Sequence, residues 1–595
     1  MTDLEKYIVD PLSYISNLAA ERKNVSQICD IFREKIQKGL SEMIPSLNET
    51  SQDSLKANSL IKYRGMVQDM FGEELFPEYF NVVDSSNTMK MKTGLLQDIY
   101  QFKDGERADF DTAQMAERQC YYFVPIPTEN SWIKDYYKSK RLLEQPSSSN
   151  YDNRNKRNLE SDDEDSNGFE QLSQLSGDEN QFMDIGEVTE SSKKMKTPKE
   201  EDKKSQIPFN LNFPIDTEKE TPCIGVAYEN YDDIKLNTVY EIYGILSNHP
   251  ALAANTLNEN GSASGFETDE MYAKSPPPSL VPRIHIVLIR KLENIDPSYQ
   301  LILKESRLND ISLKLRDYLQ QVLLGDRIAA DYLFCYLMSR VYARKDSRAI
   351  GKFSLNLTNL NIQSQHTKYI YTALERILPL SLYCPLSLEN MNKRRMTPYK
   401  DYKSNRLMSG SLQLPDGTRL ILDETALQPG QLDTIGVQNT RSLNDVVCWQ
   451  KLEYDFTYHK QEFFTDFPVL VFSEGKSVFQ CDCRLPLKTI INPDNLESYY
   501  LQMMATQESN FQDFRNFISM MSFRDYTFPD DLKQEVEQYF VDMRKQDNKM
   551  TADAFLNLLL FARLLTLSRS ETTLTADIWS CAKALEQERQ RRIEA

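Results

Sequence analysis

SGSLQLPDGTRLILDETAL, Ser409 to Leu427, is the stretch whose reading decides the fold of the second half of this chain. GSLQLPDG reads as strand and turn, and RLILDE as an apolar strand that ends on two acids, Asp423 and Glu424. A strand that carries an acidic pair at its end has the form of a Walker B segment. There Asp423 would sit near Mg²⁺ and Glu424 would polarise water. Upstream stands LLGDRIAADY, Leu323 to Tyr332. It has the outline of a phosphate loop, G-x-x-x-x-[GA]-K-[ST], with Gly325 first and Ala330 at the second small position. Ala329, Leu333, Leu337 and Val341 then step by four, so a helix follows a glycine turn, the setting of an anion site.

The chemistry departs from that outline. Asp331 stands where the lysine belongs and Tyr332 where Ser or Thr belongs. The lysine contacts the β and γ phosphates and the hydroxyl holds Mg²⁺. An aspartate at about 4 Å from a phosphate, at an effective dielectric near 20, repels it by roughly 4 kcal/mol. Gly325, Asp331, Tyr332, Asp423 and Glu424 therefore read as a degenerate nucleotide site without activity. The bland alternatives are a helix that begins after a glycine and a solvated acidic pair that ends a strand.

Composition sets the frame. The chain has 595 residues, room for several domains, and 40% of them are hydrophobic. Its net charge of −18 argues against general duplex binding, which needs clustered cations, and suits solubility or a partner with basic surfaces. No run of about 18 apolar residues occurs, so no membrane span is expected. MTDLEKYIVDPLSY lacks the apolar core of a secretory signal. Nine cysteines without C-x-x-C suit a reducing compartment, and Cys481 with Cys483 alone makes a poor zinc site. Four histidines, His249, His285, His366 and His459, are far apart and suggest no metal or nucleophile cluster.

The first 58 residues read as helical, with Val25, Ile28, Cys29, Phe32, Ile36 and Leu40 on one face. Strands are expected at IKYRGMVQDMF (61–71), around Gln119–Pro125, at CIGVAY and at VYEIYGIL. Residues 59–140 and 218–250 would form a split, OB-like β-barrel. Tyr63, Tyr240 and Tyr243 are candidate stacking platforms for single strands, with core packing the favoured reading. Residues 141–217 are polar and charged, and read as a disordered insert. Its basic cluster, Lys193, Lys194, Lys196 and Lys199, is a candidate nuclear localisation signal. Residues 251–280 read as a linker ending in SPPPS, 281–505 as an α/β domain and 506–595 as a helical, lid-like domain. In that last part Phe555, Leu558, Leu559, Ala562 and Leu565 line one helix, and Thr573 or Thr575 caps the next.

LLGDRIAADY, RLILDET and the two C-terminal helices together resemble the AAA+ domain of MCM helicase subunits. Against that pattern Ser473–Glu474 replaces the sensor Asn, and Asp553 stands near the place of the lid Arg. The longer strings YRGMVQDMF, YEIYGILS, SLVPRIHIVL, LLGDRIAADYL, DYKSNRLMSGSLQLPDGTRLILDET, GQLD and FSEGKS resemble the minichromosome maintenance complex-binding protein family, from about residue 60 to 590. The resemblance implies a multidomain α/β chain with an OB-like barrel and a degenerate MCM/AAA+-like domain. It implies no enzyme activity, no cofactor and no metal. It further implies MCM helicase subunits as partners, chromatin contacted indirectly and a nuclear location. The expected roles are assembly of the helicase, its removal from chromatin in DNA replication, and sister chromatid cohesion. Two alternatives stand beside it: a single-stranded nucleic-acid-binding OB protein and an atypical AAA+ ATPase.

Overall fold

Residues two apart along the N-terminal strands share a face, and here that face closes around a core. The computed structural model describes residues 3–21, 23–84, 88–100, 102–144, 209–216, 220–229, 231–252, 270–271, 273–297, 303–361, 365–546 and 551–594. Within these, β1 (Leu60–Val83) and β3 (Arg107–Val124) run antiparallel, with β2 (Met89–Thr93) along the distal part of β1. β4 (Cys223–Ala227) pairs antiparallel with β3 and parallel with β6 (Arg283–Lys291). β5 (Val239–Ser247) pairs antiparallel with both β6 and β1. The circuit β1-β3-β4-β6-β5-β1 is therefore closed by hydrogen bonds. Ile61, Tyr63, Val67, Tyr121, Phe123, Tyr240, Ile242 and Ile284 form its core. Gly244 makes the β5–β6 approach possible, since a Cβ there would lie 2.4 Å from the carbonyl oxygen of His285.

One sequence expectation changes here, and one pair of alternatives is decided in favour of core packing. The run RIHIVLIRK, placed with the second half of the chain, is β6 and completes the first sheet. An apolar strand that follows a Pro-rich linker looks like a new start, because its partners are set by long-range pairing and not by its neighbours. Tyr63, Tyr240 and Tyr243 are all buried, so none offers a stacking face to solvent.

Helices Asp3–Val9, Pro11–Ala20 and Val25–Gln37 precede the ring. The third buries Ile28, Cys29, Phe32 and Ile36, the expected face, and starts at an Asn24–Gln27 capping box. Most of the expected insert, including Lys193, Lys194, Lys196 and Lys199, lies outside the described residues. At its margins the helix Ser131–Glu144 continues to 144, and Asn212 is buried. The Asn212 amide donates to Leu407 O at 2.9 Å, and its carbonyl accepts from the Ser409 amide at 2.8 Å.

The second half is mixed α/β. Hairpin β7 (Ala343–Lys345) and β8 (Arg348–Ile350) precedes β9 (Leu355–Thr358) and β10 (Ser381–Pro385). β11 (Tyr399–Asp401) and β12 (Arg406–Met408) intervene before β13 (Arg419–Asp423). β14 (Lys451–Asp455) and β15 (Lys460–Phe464) come before β16 (Val469–Phe472) and β17 (Cys483–Pro486). The main sheet has the order β10-β13-β16-β9-β17, and every neighbouring pair in it is parallel. Parallel strands need cover on both faces. Leu420, Leu422, Val469 and Val471 pack with Leu443, Val446 and Val447 of the helix Thr434–Trp449. Ile421, Leu470 and Phe472 face the opposite core, shared with the C-terminal helices Ala552–Ser568 and Ala576–Glu594. Thr575, of the two expected threonines, takes the cap: its hydroxyl accepts from the Ile578 amide at 3.3 Å.

The first sheet is tied to this half by a buried polar seam. Gln68 donates to Leu407 O at 2.7 Å, and Asp69 accepts from the Leu407 amide at 2.8 Å. Asn130 donates to Leu378 O at 2.7 Å.

Candidate functional site

In an open parallel sheet, ligands bind outside the carboxyl ends of the strands where the chain changes its direction of winding. β9 is first in sequence and lies between β16 and β17, so the crevice belongs to the loops after β9, β13 and β16. The acids Asp423 and Glu424 are at that edge, as the apolar strand RLILDE implies.

LLGDRIAADY is elsewhere in the topology. A phosphate loop joins a strand to a helix, whereas this turn joins two helices, Glu305–Val322 and Arg327–Met338. Leu324 is left-handed at φ 49° and Gly325 follows at φ 92°. The Gly325 amide donates to Gln320 O at 2.8 Å and the Leu324 amide to Gln321 O at 3.0 Å, the pattern of a Schellman helix stop. Gly325 is thus a helix terminator. A Cβ at this position would lie 3.2 Å from Ile490 and Ile491 side-chain atoms.

The next helix does make an anion site, and Asp326 fills it from within. Its Oδ1 accepts from the Ile328 and Ala329 amides, both at 3.1 Å. Its Oδ2 accepts from the Lys488 amide at 2.8 Å and from Arg592 at 2.7 Å. A carboxylate at a helix N-terminus is stabilised by the unpaired amides and the helix dipole. Here the carboxylate is the chain's own. Asp331 faces Arg316 of the preceding helix and pairs with it. Tyr332 is buried, stacked at 4.3 Å on Phe561, and donates to Glu586 at 3.2 Å. Burial pushes its phenol well above the ordinary range. Neither side chain serves a loop that could hold phosphates.

At the sheet edge the expected acids are also engaged. Asp423 accepts from the Thr425 amide at 2.9 Å, from the Thr425 hydroxyl at 2.6 Å, and from the Tyr383 hydroxyl. Glu424 accepts from the Ser477 hydroxyl at 2.6 Å and the Val478 amide at 3.1 Å. Burial raises its carboxyl above the usual value, and these donors work against that rise. Ser473, in the place of a sensor Asn, donates to Asn356 on β9 at 2.9 Å.

The loop after β9 holds the position that a phosphate loop would take, and sequence reading passed over it. Its first two amides are used: Asn359 donates to Glu474 O at 3.0 Å and Leu360 to Ser473 O at 3.3 Å. The segment Asn359–Thr367 contains no Gly to wrap a phosphate; the first cation, Lys368, is exposed in the first turn of the helix His366–Glu375. His366, which starts the following helix, meets the Tyr500 hydroxyl at 3.0 Å, and burial lowers its pKa to about 4, so it is neutral at pH 7. No sequence motif marks this loop. Only its position in the strand order does. The structure thus gathers Asp423, Glu424 and Ser473 at one edge and leaves Gly325, Asp331 and Tyr332 in helix packing.

Among the described residues no helix is long and apolar enough to cross a membrane. Comparison with known proteins covers nearly the whole chain. A chicken protein named mini-chromosome maintenance complex-binding protein is 36% identical over 622 residues, spanning 99% of this chain and 98% of its own length. The human protein of that name is 35% identical, over 96% of this chain and 94% of its own. The Arabidopsis one is 33% identical, over 95% and 93%. The family described as mini-chromosome maintenance replisome factor matches residues 32–593. With that match and these identities, the chain belongs to the mini-chromosome maintenance replisome factor family.

Proposed function

We propose that this chain is a non-catalytic protein that binds the MCM complex and regulates assembly of the helicase and its removal from chromatin during DNA replication. A nuclear location, directed by the basic cluster Lys193–Lys199, and a part in sister chromatid cohesion belong to the same reading. The names of the full-length relatives support the MCM partner. In architecture, we read the closed circuit β1-β3-β4-β6-β5 as OB-like, because it has five strands and one parallel pair, β4–β6. We read the second half as a degenerate AAA+-like domain. Counted in sequence order its strands run 2-3-4-1-5, with the acidic pair at the end of the third, the arrangement in which AAA+ domains hold nucleotide. Residues 506–595 then correspond to the lid.

The observation that carries the non-catalytic reading is the engaged edge of the sheet. The loop after β9 has no Gly, its first amides are bonded to the loop after β16, and Asp423 and Glu424 are satisfied by their own neighbours. An inactive relative of a ring-forming ATPase can occupy a subunit-like interface without turning over ATP. The test is capture of separately purified MCM subunits on the immobilised full-length chain, followed by cross-link mapping. Retention of at least one subunit, with cross-links to the second half, is the expected result. Retention of none overturns the reading.

A further inference from the structure

Away from the sheet edge, a cleft of about 1240 Å³ opens between hairpin β7–β8, the turn after the helix Phe511–Ser522 and the helix Ala552–Ser568. Its cations fall into two groups. Lys352 is neutralised by Asp482 at 2.6 Å and Arg348 by Asp553 at 3.3 Å. Arg340 and Arg563 are held by aromatic rings instead. Arg340 lies 3.8 Å from the ring centre of Phe523, and Arg563 lies 3.6 Å from that of Tyr342 and 5.6 Å from that of Tyr526. Among the described residues neither has a carboxylate within ion-pair distance, and Nε of Arg563 is buried without a hydrogen-bond partner. Burial, the Arg340 charge nearby adding to it, lowers the pKa of Arg563. Arg524 reaches Glu305 at 3.9 Å; among the described residues Lys345 has no carboxylate within ion-pair distance, and Asp346 and Asp525 also line the cleft.

Asp466 acts on Arg340 from beyond ion-pair distance, whereas among the described residues Arg563 has only rings and the like charge of Arg340 beside it. An external anion would favour such a pair, and guanidinium matches carboxylate geometry. The same cleft shows large apolar side chains to solvent: Tyr342, Trp449 and Leu556 are each close to half exposed. Aromatic and arginine anchors in one concave surface are the composition of a protein-binding hot spot. A polyphosphate chain fits less well, because it offers nothing apolar to cover Trp449 and Leu556. We propose that this cleft docks an acidic segment of a protein partner, with carboxylates on Arg340 and Arg563 and a large apolar side chain against Trp449 and Leu556. This inference does not rest on the MCM complex being that partner.

Fluorescence anisotropy on the full-length chain tests it, with a fluorescein-labelled peptide of alternating Glu, Leu, Asp and Phe. A peptide with Lys in place of each acid and a single-stranded oligothymidylate serve as controls. The acidic peptide is expected to bind saturably and the Lys peptide not to bind. Arg340→Glu and the exposed-site variant Lys345→Glu should each weaken binding, the former by about tenfold or more. Both lie on the cleft rim or hairpin, and unchanged melting curves establish that the variants are folded. Absence of saturable binding to the wild type overturns the proposal, as does equal binding by folded Arg340→Glu. Preferential binding of oligothymidylate, lost in the same variants, assigns the cleft to nucleic acid instead and also overturns it.

Discussion

At the level of one side chain, Asp326 takes the amides of a helix N-terminus that an external anion would otherwise use. Three backbone amides and Arg592 converge on its carboxylate, which is almost fully buried. Removing the cation by Arg592→Ala leaves that charge without its partner, and should destabilise the chain by about 3 kcal/mol, read as a lower urea midpoint. The opposite experiment addresses Asp331 and Tyr332. A double variant, Asp331→Lys with Tyr332→Ser, rewrites the turn toward a phosphate loop. It also removes the ring stacked on Phe561 and sets a lysine against Arg316. Loss of the buried ring alone costs about 3–5 kcal/mol, so the variant should be strongly destabilised and gain no nucleotide binding by calorimetry. A stable variant that binds ATP contradicts our placement of the turn.

Asp69 links a single carboxyl to pH. Burial pushes it up to about 6, while its two oxygens accept from the Met70 and Leu407 amides. In the unfolded chain an aspartate titrates near 3.9. The folded state therefore holds the proton more tightly, and the resulting stabilisation is complete below about pH 4 and lost as pH rises through about 6. At roughly 1.4 kcal/mol per pH unit the loss is about 3 kcal/mol. The stability gap between wild type and Asp69→Asn should shrink by that amount between pH 4 and pH 7. A gap that does not move with pH contradicts the assignment.

At the scale of elements, β6 decides the first sheet. It touches β4 on one side and β5 on the other, and without it the circuit is open. Gly244 sits where β5 crosses closest to β6, 2.4 Å from the His285 carbonyl oxygen once a Cβ is placed. Gly244→Ala should therefore force the strands apart and cost about 1–3 kcal/mol in chemical denaturation. An unchanged midpoint means the strands tolerate the shift. The same elements show what a sequence can disclose. Apolar runs bounded by a polar stretch located β4 and β5, and three- and four-residue steps located the buried faces of the helices at Val25–Gln37 and Ala552–Ser568. Partnership was not legible, because β6 pairs with strands across the 251–280 linker and nothing local marks that choice. For the candidate site, RLILDE disclosed a strand that ends on two acids, but the acids are buried and bonded to their neighbours, where a solvated pair was the bland expectation. The turn at Gly325 misled because a Schellman stop and a phosphate loop both present glycine before a helix. The loop after β9 was silent, because it carries no glycine by which such loops are recognised.

At the scale of the whole molecule, the five-stranded parallel sheet carries at one edge acids and amides that are bonded to one another and to neighbouring loops. The non-catalytic role we propose rests on that engaged edge. Glu424→Gln should leave phosphate release at the background of the wild type, because the acid serves Ser477 and Val478 and not a water. Turnover in the wild type that this variant abolishes would place a working site at the sheet edge. The most direct test of the account is size-exclusion chromatography with light scattering on the purified chain mixed with purified MCM complex, with apyrase present to remove nucleotide. We expect a stable complex of defined mass to elute without ATP. Separate elution of the two components under these conditions contradicts the account.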